Sequence, residues 1–431
     1  MNSPYTLLVA LTYLLLTAAC ERTDKYIPSA ATAATPPLVL VISPTFTDTT
    51  VDFNYFEPPY PASAHLLDTT RADYGANMSA TVLSFLGDVR RSAAMMDESA
   101  NTMGMDTARY ERLQRLRPTN AAARILRDAE THEIVIINEA HHEPRHRVFP
   151  RDLLQGLWDR GYRHLGLETL SPFQHPDSLV TVPPYFPLVG GFYTREPQFA
   201  DLANEARHIG YTLFPYEASS GGNGPATREA GQASNIHTYR QRYPSGKLLL
   251  HVGYTHAKEG YLGGRWGKAM AQRLADTTGL NPLTVNQTHF RERSRRELER
   301  YEYQTAELSA PTIFVDDNDR SFQLTDTVAV SWFDHYVFHP RTKYYHDRPD
   351  YLFRNGRRPV RVATAAHPAA EPLVWQAYPL AANMAEAVPF DVMESDAAQE
   401  SVLALAPGDY RLLATTKTGR QYVATINVPN D

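Results

Sequence analysis

His132-Glu133-Ile134-Val135-Ile136-Ile137-Asn138-Glu139-Ala140-His141-His142 is the stretch that decides the fold of this chain. Its short run of β-branched residues reads as a strand buried on both faces, as parallel sheets require. The run then breaks abruptly into a carboxylate and two imidazoles. The arrangement recurs along the chain. Arg163-His164-Leu165-Gly166-Leu167 ends in Glu168, Gly210-Tyr211-Thr212-Leu213-Phe214-Pro215-Tyr216 ends in Glu217, and Lys247-Leu248-Leu249-Leu250-His251-Val252-Gly253-Tyr254-Thr255 ends in His256. Open α/β sheets bind ligands beyond the carboxyl ends of their strands. Four strands that each deliver an acid or a histidine at that end predict a common site there.

Helical patterns separate these strands. They cover residues 121–128, then 147–160 with Leu153, Leu154, Leu157 and Trp158 as the apolar face and Gly161 as the stop. Further helices are predicted over 197–208, 227–243 and 266–276, the last followed by Gly279 and a strand at 283–287. Strand and helix alternating at this spacing imply right-handed crossovers. The predicted fold is therefore α/β, a mainly parallel sheet flanked by helices over residues 120–345. A helical lead-in precedes it over 46–119, marked by Met78, Val82, Leu83, Phe85 and Leu86 and by Tyr110, Leu113 and Leu116 three apart. Beyond residue 350 short alternating strands take over, at 360–364, 373–377, 390–393, 410–416 and 422–428. Turn clusters at Ala406-Pro407-Gly408-Asp409 and Lys417-Thr418-Gly419-Arg420 complete the signature of a β-sandwich over 350–431.

A chain of 431 residues can bury a large core and form more than one domain. A hydrophobic fraction of 43% with 21% charged residues places it among ordinary globular proteins. Its net charge of −6 leaves no electrostatic footprint for nucleic acid. At the N-terminus, residues 7–16 are apolar but too few to span a bilayer. They lead into Leu16-Thr17-Ala18-Ala19-Cys20, which predicts a signal peptide over 1–19 and then an Ala-, Thr- and Pro-rich tether over 20–45. The junction resembles the lipobox of bacterial lipoproteins, with Thr17 where that motif prefers Leu and no Lys or Arg before the apolar run. That resemblance implies lipidation of Cys20 and a cell-envelope protein held by its lipid in the outer membrane, facing the periplasm or the cell surface. The alternative is an ordinary secreted chain cut near Ala19, with Cys20 a free thiol. Cys20 is the only cysteine, so neither reading allows an intramolecular disulfide.

The strand tips carry the candidate chemistry. Adjacent loop histidines such as His141 and His142 point in different directions and serve different ends. An imidazole can act as a general base near neutral pH, and a carboxylate such as Glu139 can fix its tautomer. The other reading is a histidine that only binds backbone. Arg147 and Arg151 lie four apart and share a helix face; with Arg145 they could hold a carboxylate or phosphate. A solvated face is the expectation for Arg147, whereas Arg151 begins the apolar section and is expected nearest the site. Glu168, beyond Leu-Gly-Leu, needs a partner, which the histidines or Arg151 would supply. Glu217 leads to Ser219-Ser220-Gly221-Gly222-Asn223-Gly224, which opens the helix of Arg228 and Glu229. Such a loop can bind an anion, but without GxxxxGK it reads as a mobile flap. Gly253 allows backbone to approach the site, His256 faces the first loop, and His251 reads as a core residue. The acids of 316–319 lack EF-hand register, and the mixed charges of 291–299 read as a solvated helix. No G-x-S-x-G elbow, H-E-x-x-H helix or paired C-x-x-C is present.

In order and spacing these residues resemble a superfamily that holds the erythromycin esterases, the ChaN-like haem-binding lipoproteins and the Tiki/TraB group. Erythromycin esterases carry Gly-Glu-x-x-His after the first strand, an Arg nine residues later, and a strand ending in Glu. Glu139-Ala140-His141-His142, Arg151 and Glu168 fit that order, with Asn138 in place of the glycine. Arg228-Glu229 with Gln232, Ala233, Asn235 and Ile236 looks like their Arg-Glu helix, and His256 like their late histidine. ChaN and Tiki proteins use Gly-x-x-His, which His141 and Gly253-Tyr254-Thr255-His256 satisfy. The resemblance covers about residues 120–290. It implies a hydrolase of an ester or lactone that needs no cofactor. In that reading His142 draws a proton from water, Glu139 and Glu168 orient it, and His256 with Arg151 steadies the oxyanion; His141, Glu217, Arg228 and Glu229 contact the small-molecule substrate. A Tiki-like variant would hold a divalent metal ion through His141, His256 and a carboxylate. The ChaN branch implies instead a lipid-anchored haem-binding protein, with histidines or some of the 25 tyrosines on the iron.

Overall fold

Six strands form one all-parallel sheet: β1 Ile134–Glu139, β2 Tyr162–Leu167, β3 Thr212–Pro215, β4 Lys247–Gly253, β5 Leu283–Asn286 and β6 His335–Tyr336. The computed structural model describes residues 38–51, 65–102, 104–170, 185–218, 224–324, 332–395, 400–416 and 418–430, with side chains of the first helix from residue 75. The strands lie in the order β6-β5-β1-β4-β2-β3. β1 is buried at every position, as its unbroken apolar run requires. Glu139 stands opposite Gly253 and Leu167 opposite His251, so β1, β4 and β2 finish level with one another. The chain leaves β1 and β2 toward the β3 edge but leaves β4 toward the β6 edge. This divergence is the switch point at which open sheets leave a crevice.

Eight helices are used below: α1 His65–Phe85, α2 Val89–Asp97, α3 Thr107–Gln114, α4 Ala121–Asp128, α5 Arg145–Trp158, α6 Pro197–Ile209, α7 Pro225–Arg242 and α8 Met270–Thr278. The two-residue period of the strands sorts them into layers. Val135, Ile137, Leu165 and Leu249 pack with Leu153 and Leu157 of α5 and Leu202 of α6. Ile134, Ile136, Leu248 and Leu250 pack with Ile236 of α7 and Leu274 of α8 on the other face. Each fully buried leucine stabilises the fold by roughly 2 kcal/mol relative to exposure.

α5 contains Pro150, which has no N–H for the His146 carbonyl one turn earlier. That carbonyl accepts instead from Gln287 Nε2 at 3.1 Å and His251 Nε2 at 3.3 Å. The proline thus ties α5 to β4 and to the turn after β5 rather than breaking the helix.

The C-terminal strands are β7 Arg358–Val362, β8 Leu373–Pro379, β9 Asp391–Ser395, β10 Ser401–Leu405, β11 Gly408–Thr416 and β12 Gln421–Val428. They form two antiparallel arrays, each completed by a short N-terminal strand: β9-β8-β11-β12 with Thr47–Thr49, and β7-β10 with Leu40–Ile42. Val360, Trp375, Leu403 and Leu412 share one apolar cluster, while Val374, Val388 and Val392 join the core of the parallel sheet.

Three sequence expectations are corrected here. The tether does not extend to residue 45, because Leu40–Ile42 pairs in parallel with β7 and satisfies an otherwise open strand edge. The lead-in is not wholly helical, since Arg117–Asn120 pairs antiparallel with Thr312–Val315. Residues 291–299 form no α-helix, only a single 3-10 turn at Arg296–Leu298. There Arg293 pairs with Asp97 and Arg341 with Glu299, and these distant partners set the backbone path. The segment expected to be a signal peptide and Cys20 lie outside the described residues. No helix among the described residues is long and apolar enough to cross a membrane.

Candidate active site

At the tip of β1, Glu139 turns toward the α5–α6 layer. Arg147 Nε donates to its Oε2 at 2.7 Å and Arg147 Nη2 to Oε1 at 3.1 Å. Arg147 also donates to Glu196 Oε2 at 3.0 Å and to the His141 carbonyl at 2.7 Å, with its guanidinium over the Phe199 ring. Burial alone would raise the Glu139 carboxyl, but Arg147, His141 and His251 overcome it and hold the group well below the ordinary range. The ionised Glu139 Oε1 accepts from His141 Nδ1 at 2.7 Å. This contact leaves Nε2 as the basic nitrogen of His141. The ring stacks on Tyr193 with centroids 3.8 Å apart and meets the edge of Tyr254 at 5.0 Å. Its side chain keeps 12% of its surface exposed.

A second cluster gathers from the other layer. Glu168, at the tip of β2, accepts from Arg228 Nη2 at 2.5 Å and from the Gly253 backbone N–H. Arg228 also holds Glu217, at the tip of β3, which takes a further hydrogen bond from Gln232 at 3.0 Å. His256 Nδ1 lies 2.7 Å from Glu229 Oε1 and its Nε2 3.3 Å from Glu168 Oε1. Glu229 in turn accepts from the Met270 N–H at the start of α8, so one carboxylate orients the imidazole and starts a helix. Burial would lower His256, yet Glu168 and Glu229 raise it to about 10, making it an imidazolium at neutral pH. Arg228 Nη1 lies 2.9 Å from His256 Nε2, an approach that only a neutral imidazole could accept. The two flanking carboxylates decide for the imidazolium, which leaves Nη1 a donor without an acceptor among the described residues. Burial would raise Glu168, but His256, His141 and Arg228 hold it far below its ordinary value.

The two clusters meet over Gly253. A side chain there would put its Cβ 2.5 Å from His141 Cε1 and 3.0 Å from Glu168 Oε2. Glycine is thus required by close approach. Tyr254 follows with φ of 36°, unusual for a bulky residue. Its N–H donates to the Glu139 carbonyl at 2.7 Å, and Asn138 Nδ2 donates to its carbonyl at 2.6 Å. Asn138 therefore braces the strained turn.

Of the residues expected at the site, Glu139, His141, Glu168, Glu217, Arg228, Glu229 and His256 converge. His142 and Arg151 stand apart. His142 is buried, its Nε2 accepting from Arg291 Nη1 at 2.7 Å and its Nδ1 3.3 Å from the Tyr254 hydroxyl. Burial and Arg291 pull it well below its ordinary pKa, so it stays neutral. Arg151 pairs with Asp201 at 2.8 Å and Glu205 at 3.2 Å on α6. Arg147, expected on a solvated face, is fully buried instead, because Glu139 and Glu196 neutralise it there. His251 is a core residue, as expected, that also lies 3.7 Å from Glu139. Sequence reasoning missed Tyr193, which no pattern marks, and Glu196, whose Glu-Pro start to α6 is a legible cap signal. Residues 219–223 of the glycine-rich loop lie outside the described residues. Among the described residues no group of three His, Cys, Asp or Glu side chains is arranged to hold a metal ion. Both His256 nitrogens are taken by carboxylates, so the Tiki-like ligand set does not fit.

No family model matches the chain, and no curated protein does. Among solved structures it is similar to the type III effector HopBA1 at 10% identity and a TM-score of 0.28, over 39% of this chain and 84% of that one. It is also similar to RRSP, a MARTX toxin effector domain from Vibrio vulnificus CMCP6, at 16% identity and a TM-score of 0.26, over 62% of this chain and 48% of that one. Likenesses this faint carry no argument about function.

Proposed function

We propose that this chain hydrolyses an ester or lactone bond in a small-molecule substrate, with His141 as general base. The observation that carries the reading is the Arg147–Glu139–His141 relay, which faces a cationic pair, Arg228 and His256, across Gly253. Glu139 fixes the Nδ1–H tautomer of His141, so Nε2 takes a proton from water as the water oxygen bonds to the acyl carbon. The carbonyl electrons move onto oxygen, where Arg228 Nη1 and the His256 imidazolium balance the charge. Collapse breaks the bond to the leaving alkoxide, which takes the proton back from His141. Ester and water become acid and alcohol. This assignment differs from a direct carry-over of the erythromycin esterase pattern, which would use His142 and Arg151. Within the same proposal the core is esterase-like, the two C-terminal arrays form a β-sandwich, and Cys20 carries a lipid.

The test is turnover of p-nitrophenyl acetate and a simple lactone by the purified protein. His141→Ala should lower kcat/KM by about a hundredfold or more, whereas Arg151→Ala should stay within about threefold, since Arg151 pairs with Asp201 and Glu205 on α6 and does not join the cluster. Full activity in the His141 variant overturns the reading. Absence of turnover together with a Soret band on haemin titration would replace it with the haem-binding alternative.

A further inference from the structure

Around the proposed centre, buried and half-buried arginines are matched by acids: Arg147 by Glu139 and Glu196, Arg145 by Glu292, and Arg228 by Glu168 and Glu217. Arg291 breaks this rule. It is half-buried, and among the described residues it forms no ion pair. Its hydrogen bond goes to His142 Nε2, a neutral acceptor that supplies no countercharge. The nearby acid Asp97 is engaged by Arg293 and by Ser294. Glu143 also acts on it through space but makes no ion pair with it. Arg293 adds a second positive charge from the adjoining strand of chain.

A half-buried guanidinium with no carboxylate in direct contact is ready to take an anion that arrives to meet it. The position connects to the chemistry through two side chains. His142 joins Arg291 to the Tyr254 hydroxyl, and the Tyr254 ring edge meets His141. We infer that Arg291 receives an oxyanion carried by the substrate, so that the preferred ester or lactone is an acidic molecule. His142 and Tyr254 are positioning residues that link the guanidinium to the base. The inference deepens the hydrolase reading and rests on it for the word substrate, but anion capture by Arg291 can be measured without turnover.

The experiment compares p-nitrophenyl acetate with mono-p-nitrophenyl succinate and with a p-nitrophenyl ester bearing a terminal phosphate. The wild type should favour at least one acidic ester, and the ratio of its kcat/KM to that of the neutral ester should fall about tenfold or more in Arg291→Met, as loss of a charge-assisted bond predicts. Arg291→Lys should restore part of the ratio. Whichever acidic ester responds distinguishes a carboxylate from a phosphate. An unchanged ratio in Arg291→Met overturns the inference. If the wild type turns over none of the esters, the hydrolase reading fails, and thermal shifts decide the inference. Succinate or inorganic phosphate that raises the Tm of the wild type but not of Arg291→Met supports it. Equal responses in both proteins, or none in either, refute it.

Discussion

At the scale of single residues the site depends on charges that compensate one another out of water. Arg147 is the example that sequence reading gets wrong. Its spacing from Arg151 speaks for a shared solvated face, but helical periodicity cannot show that Glu139 and Glu196 wait on the inner side. Both acids are distant from it along the chain or across a turn, and only the fold brings them together. Arg147→Met should destabilise the protein by about 3–5 kcal/mol, because it strands buried carboxylates without a cation; urea unfolding measures this. Gly253 was legible as a point of close backbone approach, though not its neighbours. Gly253→Ala should displace His141 and cut kcat/KM well beyond its stability cost of about 1–3 kcal/mol. Equal activity in that variant would mean that the His141 position does not matter.

At the scale of elements, the first five core strands and the helices between them were legible because each has an apolar period and a clear stop, whereas β6, only two residues long, has no period to read. The charges of 291–299 were not, since a solvated helix and a loop cross-linked by distant ion pairs share the same composition. The loop from β4 carries His256 between Glu168, just past β2, and Glu229 on α7, and so joins the strand tips to the α7–α8 layer. A histidine raised from an ordinary value near 6.5 to about 10 stabilises the fold fully below pH 6.5 and loses that contribution as pH climbs through 10. The depressed acids Glu139 and Glu168 act in the opposite sense: their contribution is present above about pH 4.5 and is lost as pH falls below it. The Tm difference between the wild type and His256→Gln should therefore shrink steadily from pH 6.5 to 10. A difference constant over that window would contradict an imidazolium at this position.

At the scale of the molecule, the C-terminal strands do not stand alone. Val374, Val388 and Val392 belong to the core of the parallel sheet, and Arg348 binds Asp391 across the junction. A chain ending at residue 349 should aggregate, as size-exclusion chromatography would show; a monodisperse product would mean that the core folds without those strands. Cys20→Ser should move the protein from the detergent to the aqueous phase on Triton X-114 partition, if a lipid anchors it. The sequence announced that strand tips meet, but could not tell which of two adjacent histidines turns inward, because that choice rests on a turn in which the Ala140 N–H donates to His146 Nδ1 and the Tyr254 N–H to the Glu139 carbonyl. The most direct measurement is therefore a crystal structure with a phosphonate ester analogue of the hydrolytic intermediate. Its phosphonyl oxygens should lie between His141 Nε2 and Arg228 Nη1, above Gly253. An analogue bound beside Arg151, or seated away from the strand tips altogether, would contradict the account.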